Sequence, residues 1–287
     1  MILGHYSVRT AVIDMDIMSN SPLFRTESEI KHNAIIYQYP CGITDLIISS
    51  GMDFGEAGWE VAADQASRPK PSKRQKGKKS EGDDMIRSMR RARAKLRRLA
   101  LANSFDYFVT LTFDPQKVDS FDPAAVAKAL GRWCDNMVRR NGLKYILVPE
   151  LHQSGRIHLH GFFSGRNIIA EDSGHIDSCG HPVYNLPQWG YGFSTAIQLY
   201  GEYGSAVGYV CKYIGKVEGV RPMGRWYYSG GALIEPEKVY AEIDYREAVD
   251  EYFFVGPLPK GQKQPGIVAD IPGRKLLVIH TKQEENL

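Results

Sequence analysis

The chain predicts an α+β fold, a central antiparallel β-sheet with helices packed on one face of it. Three observations point there. Short runs rich in β-branched and aromatic residues recur from Tyr107 onward. Two of them, Lys144 to Val148 and Ile157 to Phe163, are separated by the tight-turn segment Gln153-Ser154-Gly155. Helical stretches interrupt the runs in the order strand, helix, hairpin, loop, strand, helix.

Taken along the chain, Ala34 to Tyr39 and Thr44 to Ile48 read as strands bounded by Pro and Gly. No role can be assigned to residues 1–63. Residues 64–84 shift to Pro, Ser, Lys, Gly and Gln and read as a disordered basic linker. From Met85 to Leu99, Ile86, Met89, Ala92, Leu96 and Leu99 recur at helical spacing, and Arg87, Arg90, Arg91, Arg93, Arg97 and Arg98 stand between them. That is a basic amphipathic helix, which could pack its apolar stripe and lay its arginines on a phosphate backbone. Tyr107 to Phe113 is a strand. Asp122-Pro123 gives an N-cap with Pro at the first helical position, and Asn141-Gly142 ends that helix. Residues 165–190, rich in Gly, Asp, Ser and Pro, read as a long loop. Gly192 to Leu199 is a fourth strand of the domain, and Gly204 to Lys216 a helix. The compact domain then spans 85–220, with a C-terminal extension over 221–287.

Residues 68–98 hold fourteen Lys and Arg against Glu81, Asp83 and Asp84, a local net of +11 in a chain of net +3. Such a block favours a polyanion, nucleic acid first. No apolar run reaches the roughly 18–20 residues of a membrane span, and the N-terminus does not read as a signal peptide. The expected location is the cytoplasm. The four cysteines, Cys41, Cys134, Cys179 and Cys211, form no CxxC pair and are expected to be reduced.

Three features carry chemistry. His158-Leu159-His160 lies in a strand, so both imidazoles share a face, about 7 Å apart by the strand rise, with Leu159 facing the core. Glu150 ends the preceding strand of the same hairpin and can come beside them. Two imidazoles and a carboxylate with open positions suit a catalytic divalent ion, Mg²⁺ or Mn²⁺ when phosphate is the substrate. On the last helix, Tyr209, Tyr213 and Lys216 share one face, and Lys212 lies within one turn of Tyr209. Ammonium groups and a metal lower the cost of forming phenolate. Each feature alone has an ordinary reading: HxH in a strand is commonly structural, and an aromatic helix face commonly packs.

In this order and spacing, the strand Phe108 to Phe113, the pair His158 and His160, and Tyr209-xx-Lys212-Tyr213-xx-Lys216 resemble the three motifs of HUH-superfamily rolling-circle replication initiators. The last motif looks most like the paired-tyrosine initiators of small single-stranded DNA phages and plasmids. The resemblance covers about residues 100–220. It implies an RRM-like HUH endonuclease core, with Glu150, His158 and His160 as metal ligands and Tyr209 as nucleophile. Tyr213 would be the second tyrosine, with Lys212 and Lys216 on the phosphate. It implies nicking and strand transfer on single-stranded DNA at a replication origin through a 5′-phosphotyrosine, in a bacterial host cell. No P-loop motif occurs, so a host helicase, with a host polymerase, would be needed. An HUH-type transposase, a relaxase or a non-catalytic DNA-binding regulator are the alternatives.

Two further clusters stay open. His175, Cys179 and His181 supply three potential zinc ligands against the usual four. Trp189, Tyr191 and Phe193 could stack on unpaired bases or pack in the core.

Overall fold

A computed structural model describes residues 33–50, 81–199, 203–216, 220–245, 248, 266–271 and 274–282. The segment 51–80, which holds most of the expected linker, lies outside the described residues, as does 1–32. The chain divides into two compact units, one of Met1–Arg74 with Pro236–Leu287 and one of Gln75–Glu235.

The first unit is a five-stranded antiparallel sheet. Its strands are β1 (Ala34–Gln38), β2 (Ile43–Ser49), β10 (Glu237–Ala241), β11 (Gly266–Ile271) and β12 (Arg274–Lys282), in the order β10-β1-β2-β12-β11. The two chain ends thus build one sheet together. Its core holds Ala34, Ile36, Leu46, Ile48, Ala241, Leu277 and Ile279. Asn33 ties the ends across the sequence: its side-chain amide donates to Ile243 O at 2.7 Å and its Oδ1 accepts from Ile243 N at 2.8 Å.

The second unit contains α1 (Glu81–Ala102), β3 (Tyr107–Leu111), α2 (Pro123–Asn141), β4 (Lys144–Leu151), β5 (Ile157–Ser164), β6 (Glu171–Ile176), β7 (Pro182–Asn185), β8 (Ser194–Gln198), α3 (Tyr203–Tyr213) and β9 (Tyr228–Gly230). Its seven strands pair antiparallel in the order β6-β7-β8-β3-β5-β4-β9. The fold is α+β, as the sequence predicts. The segment 165–190 is not only a loop: it contains the hairpin β6–β7, whose residues are mostly exposed and carry little apolar signal. The unit also runs on to Glu235. The buried Asn103 holds that last stretch, donating to Ile234 O and accepting from Ile234 N.

Helices cover both faces of the large sheet rather than one. On one face, Val109, Leu111, Leu147, Leu159, Phe163 and Ala196 pack with Val126, Leu130, Trp133 and Met137 of α2. The side chain of Asp122 accepts from Ala124 N, and Gly142, in the left-handed region at φ +63°, returns its N–H to α2 carbonyls. Trp133 and Trp189 meet edge to face at 5.1 Å, and Trp189 Nε1 donates to Thr112 O, so Trp189 belongs to the core. On the other face, α3 lies over β4 and β5, and α1 packs on α3. Gly215 closes α3 at φ +74°, and a Cβ there would overlap Met89 Sδ of α1. The turn therefore needs glycine for both its backbone angle and its contact.

Candidate active site

Strand alternation sorts the sheet. Leu159 and Leu111 point to the α2 face and are fully buried, while His158, His160, Thr110 and Glu150 point to the other. Register places Glu150 opposite His158 and Thr110 opposite His160. Yet the Glu150 carboxylate reaches diagonally to His160, Oε2 to Nε2 at 2.6 Å. Thr110 Oγ1 holds the other ring nitrogen of His160, Nδ1, at 3.0 Å. Both His160 and Glu150 are buried, at 8% and 9% exposure, so the site is a polar pair set into an otherwise dry face.

The helix α3 supplies the phenols. The Tyr213 ring stacks on His160 with centroids 4.1 Å apart and planes within 10°. Its hydroxyl donates to the Tyr209 oxygen at 2.7 Å. Tyr209 is 49% exposed and rests edge-on against Phe108 at 5.6 Å. Burial, and then the hydrogen bond to Tyr209, push the Tyr213 phenol well above its usual range. Lys216 donates to Glu150 Oε1 and lies 5.5 Å from the centre of the Tyr213 ring. Lys212 is exposed one turn from Tyr209. The structure therefore brings Glu150, His160, Tyr209, Tyr213 and Lys216 together.

His158 stands apart. Its ring stacks on His152 at 4.9 Å, within 9° of parallel, and His152 is in turn fixed by Ser154. A sequence reading that treats His152 as a turn residue misses this contact, which only the hairpin geometry creates.

The donors fit a divalent ion in part. Nε2 of His160 is buried with no aligned hydrogen-bond partner. Glu150 Oε2 approaches it closely but off the N–H axis, as two donors do when they face a common third point. Burial holds both imidazoles below their usual pKa, most directly opposed by Glu150 at His160, so each keeps a free lone pair at neutral pH. The pair Glu150 and His160 fits the ion; His158 would join by leaving His152.

The arginines of α1 divide. Arg87, Arg90 and Arg91 are exposed, whereas Arg93, Arg97 and Arg98 are half-buried. Arg93 Nε donates to Ile214 O at 2.9 Å, which caps the end of α3. Arg221 and Trp226 both turn to Ser88 Oγ at 3.1 Å and stack on each other, so they join α1 to the rest of the unit. Phe193, on the face that carries His160, is 84% exposed.

Among the described residues no helix is long and apolar enough to cross a membrane. No curated protein and no solved structure matches the chain. Residues 106–218 match a family of replication-associated proteins, the ORF2 and gene II protein type. That stretch runs from the start of β3 past α3 and contains the whole pair of facing motifs just described. The chain is similar over it to a family of replication proteins, and the similarity supports a replication initiator that works on DNA.

Proposed function

We propose that this protein initiates rolling-circle replication by nicking single-stranded DNA at an origin, with Tyr209 as the nucleophile. The observation that carries the reading is the placement of two hydrogen-bonded phenols directly over the His160–Glu150 pair on one sheet face. Tyr209 is the exposed phenol and can reach a phosphodiester laid on that face. Its oxygen bonds to phosphorus, the bond from phosphorus to the 3′ oxygen breaks, and that oxygen leaves with a proton as a free 3′-hydroxyl. The downstream strand stays on Tyr209 as a 5′-phosphotyrosine.

Tyr213 donates to the Tyr209 oxygen. A hydrogen bond to that atom stabilises the phenolate, which is the attacking group on nicking and the leaving group on rejoining. Stacking on His160 holds Tyr213 in place for this, and makes it the second tyrosine available for strand transfer at termination. Lys212 and Lys216 bring positive charge to the phosphate. A Mg²⁺ or Mn²⁺ ion held by Glu150, His160 and His158 would draw electron density from a phosphate oxygen. Thr110 keeps His160 turned toward that point, as outer partners of metal ligands do. Arg87, Arg90 and Arg91 offer phosphate contacts along α1. A host helicase would open the duplex and a host polymerase would extend the 3′-hydroxyl, in the cytoplasm of a bacterial cell.

The test uses single-stranded DNA tiled across the replicon that encodes the chain, labelled at either end, with Mn²⁺, with Mg²⁺ and with EDTA. Metal-dependent cleavage at one position, with the downstream fragment retained by the protein, is expected. Binding without cleavage under every condition would leave a DNA-binding regulator.

A further inference from the structure

The tip of the hairpin β6–β7 carries a second donor cluster. Among the described residues, Asp177, Cys179 and His181 form the group of three ligand types whose donor atoms all lie within 4.8 Å of one another. Sequence alone groups His175 with Cys179 and His181; the fold puts Asp177 in its place. The loop is short: Asp177 N donates to His181 O at 2.9 Å, and Gly180, at φ +90°, donates to Asp177 O. Asp177 Oδ1 accepts from the backbone N–H of both Cys179 and His181 at 2.8 Å. Those bonds account for the turn. They require an Asp or Asn at 177, but they require neither a thiol at 179 nor an imidazole at 181. Both side chains nonetheless converge on Asp177 Oδ2, with His181 Nδ1 3.2 Å from it.

We infer that this tip is a binding site for a zinc-class ion, ligated by Cys179, His181 and Asp177, with the fourth position open to water. A sulfur, a nitrogen and an oxygen donor select a borderline-soft ion over Mg²⁺, which prefers oxygen alone. The backbone N–H groups on Oδ1 prearrange the loop, so binding costs little reorganisation. The site lies in the edge hairpin of the seven-stranded sheet, where β6 has a single neighbour. An ion there would clip together the two arms of a hairpin whose side chains are mostly exposed.

The test uses the full chain stripped of metal, carrying His160→Ala so that an ion in the nicking site is not counted. Zinc is titrated against a chromophoric chelator, and Co²⁺ is added separately to read thiolate ligation by absorbance. One zinc per chain is expected, with a thiolate-to-cobalt band. Cys179→Ser should remove the band, and His181→Ala or Asp177→Asn should weaken zinc by at least about tenfold, the loss that even an outer partner causes. Zinc should also raise the thermal midpoint of the unsubstituted tip and not that of Cys179→Ser. The inference is overturned by no zinc uptake, or by uptake and a cobalt band that survive Cys179→Ser; circular dichroism checks that each variant is folded.

Discussion

The two faces of the seven-stranded sheet are built from the same strands and do opposite things. Toward α2, Leu111, Leu147, Leu159 and Phe163 are fully buried in a continuous apolar core. Toward α3, the neighbouring positions Thr110, Glu150 and His160 form a polar network that is almost as well buried. A buried carboxylate and imidazole cost stability unless they are paired. Where alternation puts such groups against a helix that bears phenols and lysines, the face is given over to chemistry rather than to packing. The difference teaches that residues one step apart in a strand fail in different ways.

The sharpest contrast comes from adjacent residues. His160→Ala should abolish nicking while the thermal unfolding midpoint moves little. Leu159→Ala should cost about 2–5 kcal/mol of stability yet leave nicking per folded molecule near normal at low temperature. Chemical denaturation and cleavage rate, measured on both, would break the comparison if either residue produced the other's effect. Thr110→Val probes the same boundary more gently. It removes the partner of His160 Nδ1 and should lower metal affinity or cleavage by about 10–100-fold, with the fold kept. An unchanged rate would make Thr110 a packing residue. Smallest is the effect of replacing Arg87, Arg90 and Arg91 together with Gln. Each lost phosphate contact on a single strand lowers the salt slope of binding by about 0.7, so the slope should fall by up to about 2, read by anisotropy across a salt series. An unchanged slope would remove these arginines from the DNA path.

Much of this was legible before the structure. Strand alternation around His158-Leu159-His160 sorts core from site, and the caps Asp122 and Gly142 bound α2 as expected. The hairpin brings Glu150 to the histidines. What local pattern could not show is which histidine it meets: rotamers and the His152 ring send His158 one way and His160 the other. The hairpin β6–β7 was hidden because its strands are polar and exposed, so no period stands out. The pairing of β1 with β10 joins residues some two hundred apart, and nothing in a sequence window reports such a contact. Arg93 looked like its neighbours on α1, yet the helix end at Ile214 claims it.

The most direct test of the account is to trap the protein–DNA adduct and find the residue that holds it. Wild type, Tyr209→Phe and Tyr213→Phe are incubated with the origin strand and divalent metal, and the nucleotide-bearing peptide is sequenced by mass spectrometry. The account predicts a 5′-phosphate on Tyr209, no adduct in Tyr209→Phe, and a slower but intact adduct in Tyr213→Phe. An adduct on Tyr213 in the wild type, or one that persists in Tyr209→Phe at the wild-type rate, would contradict it.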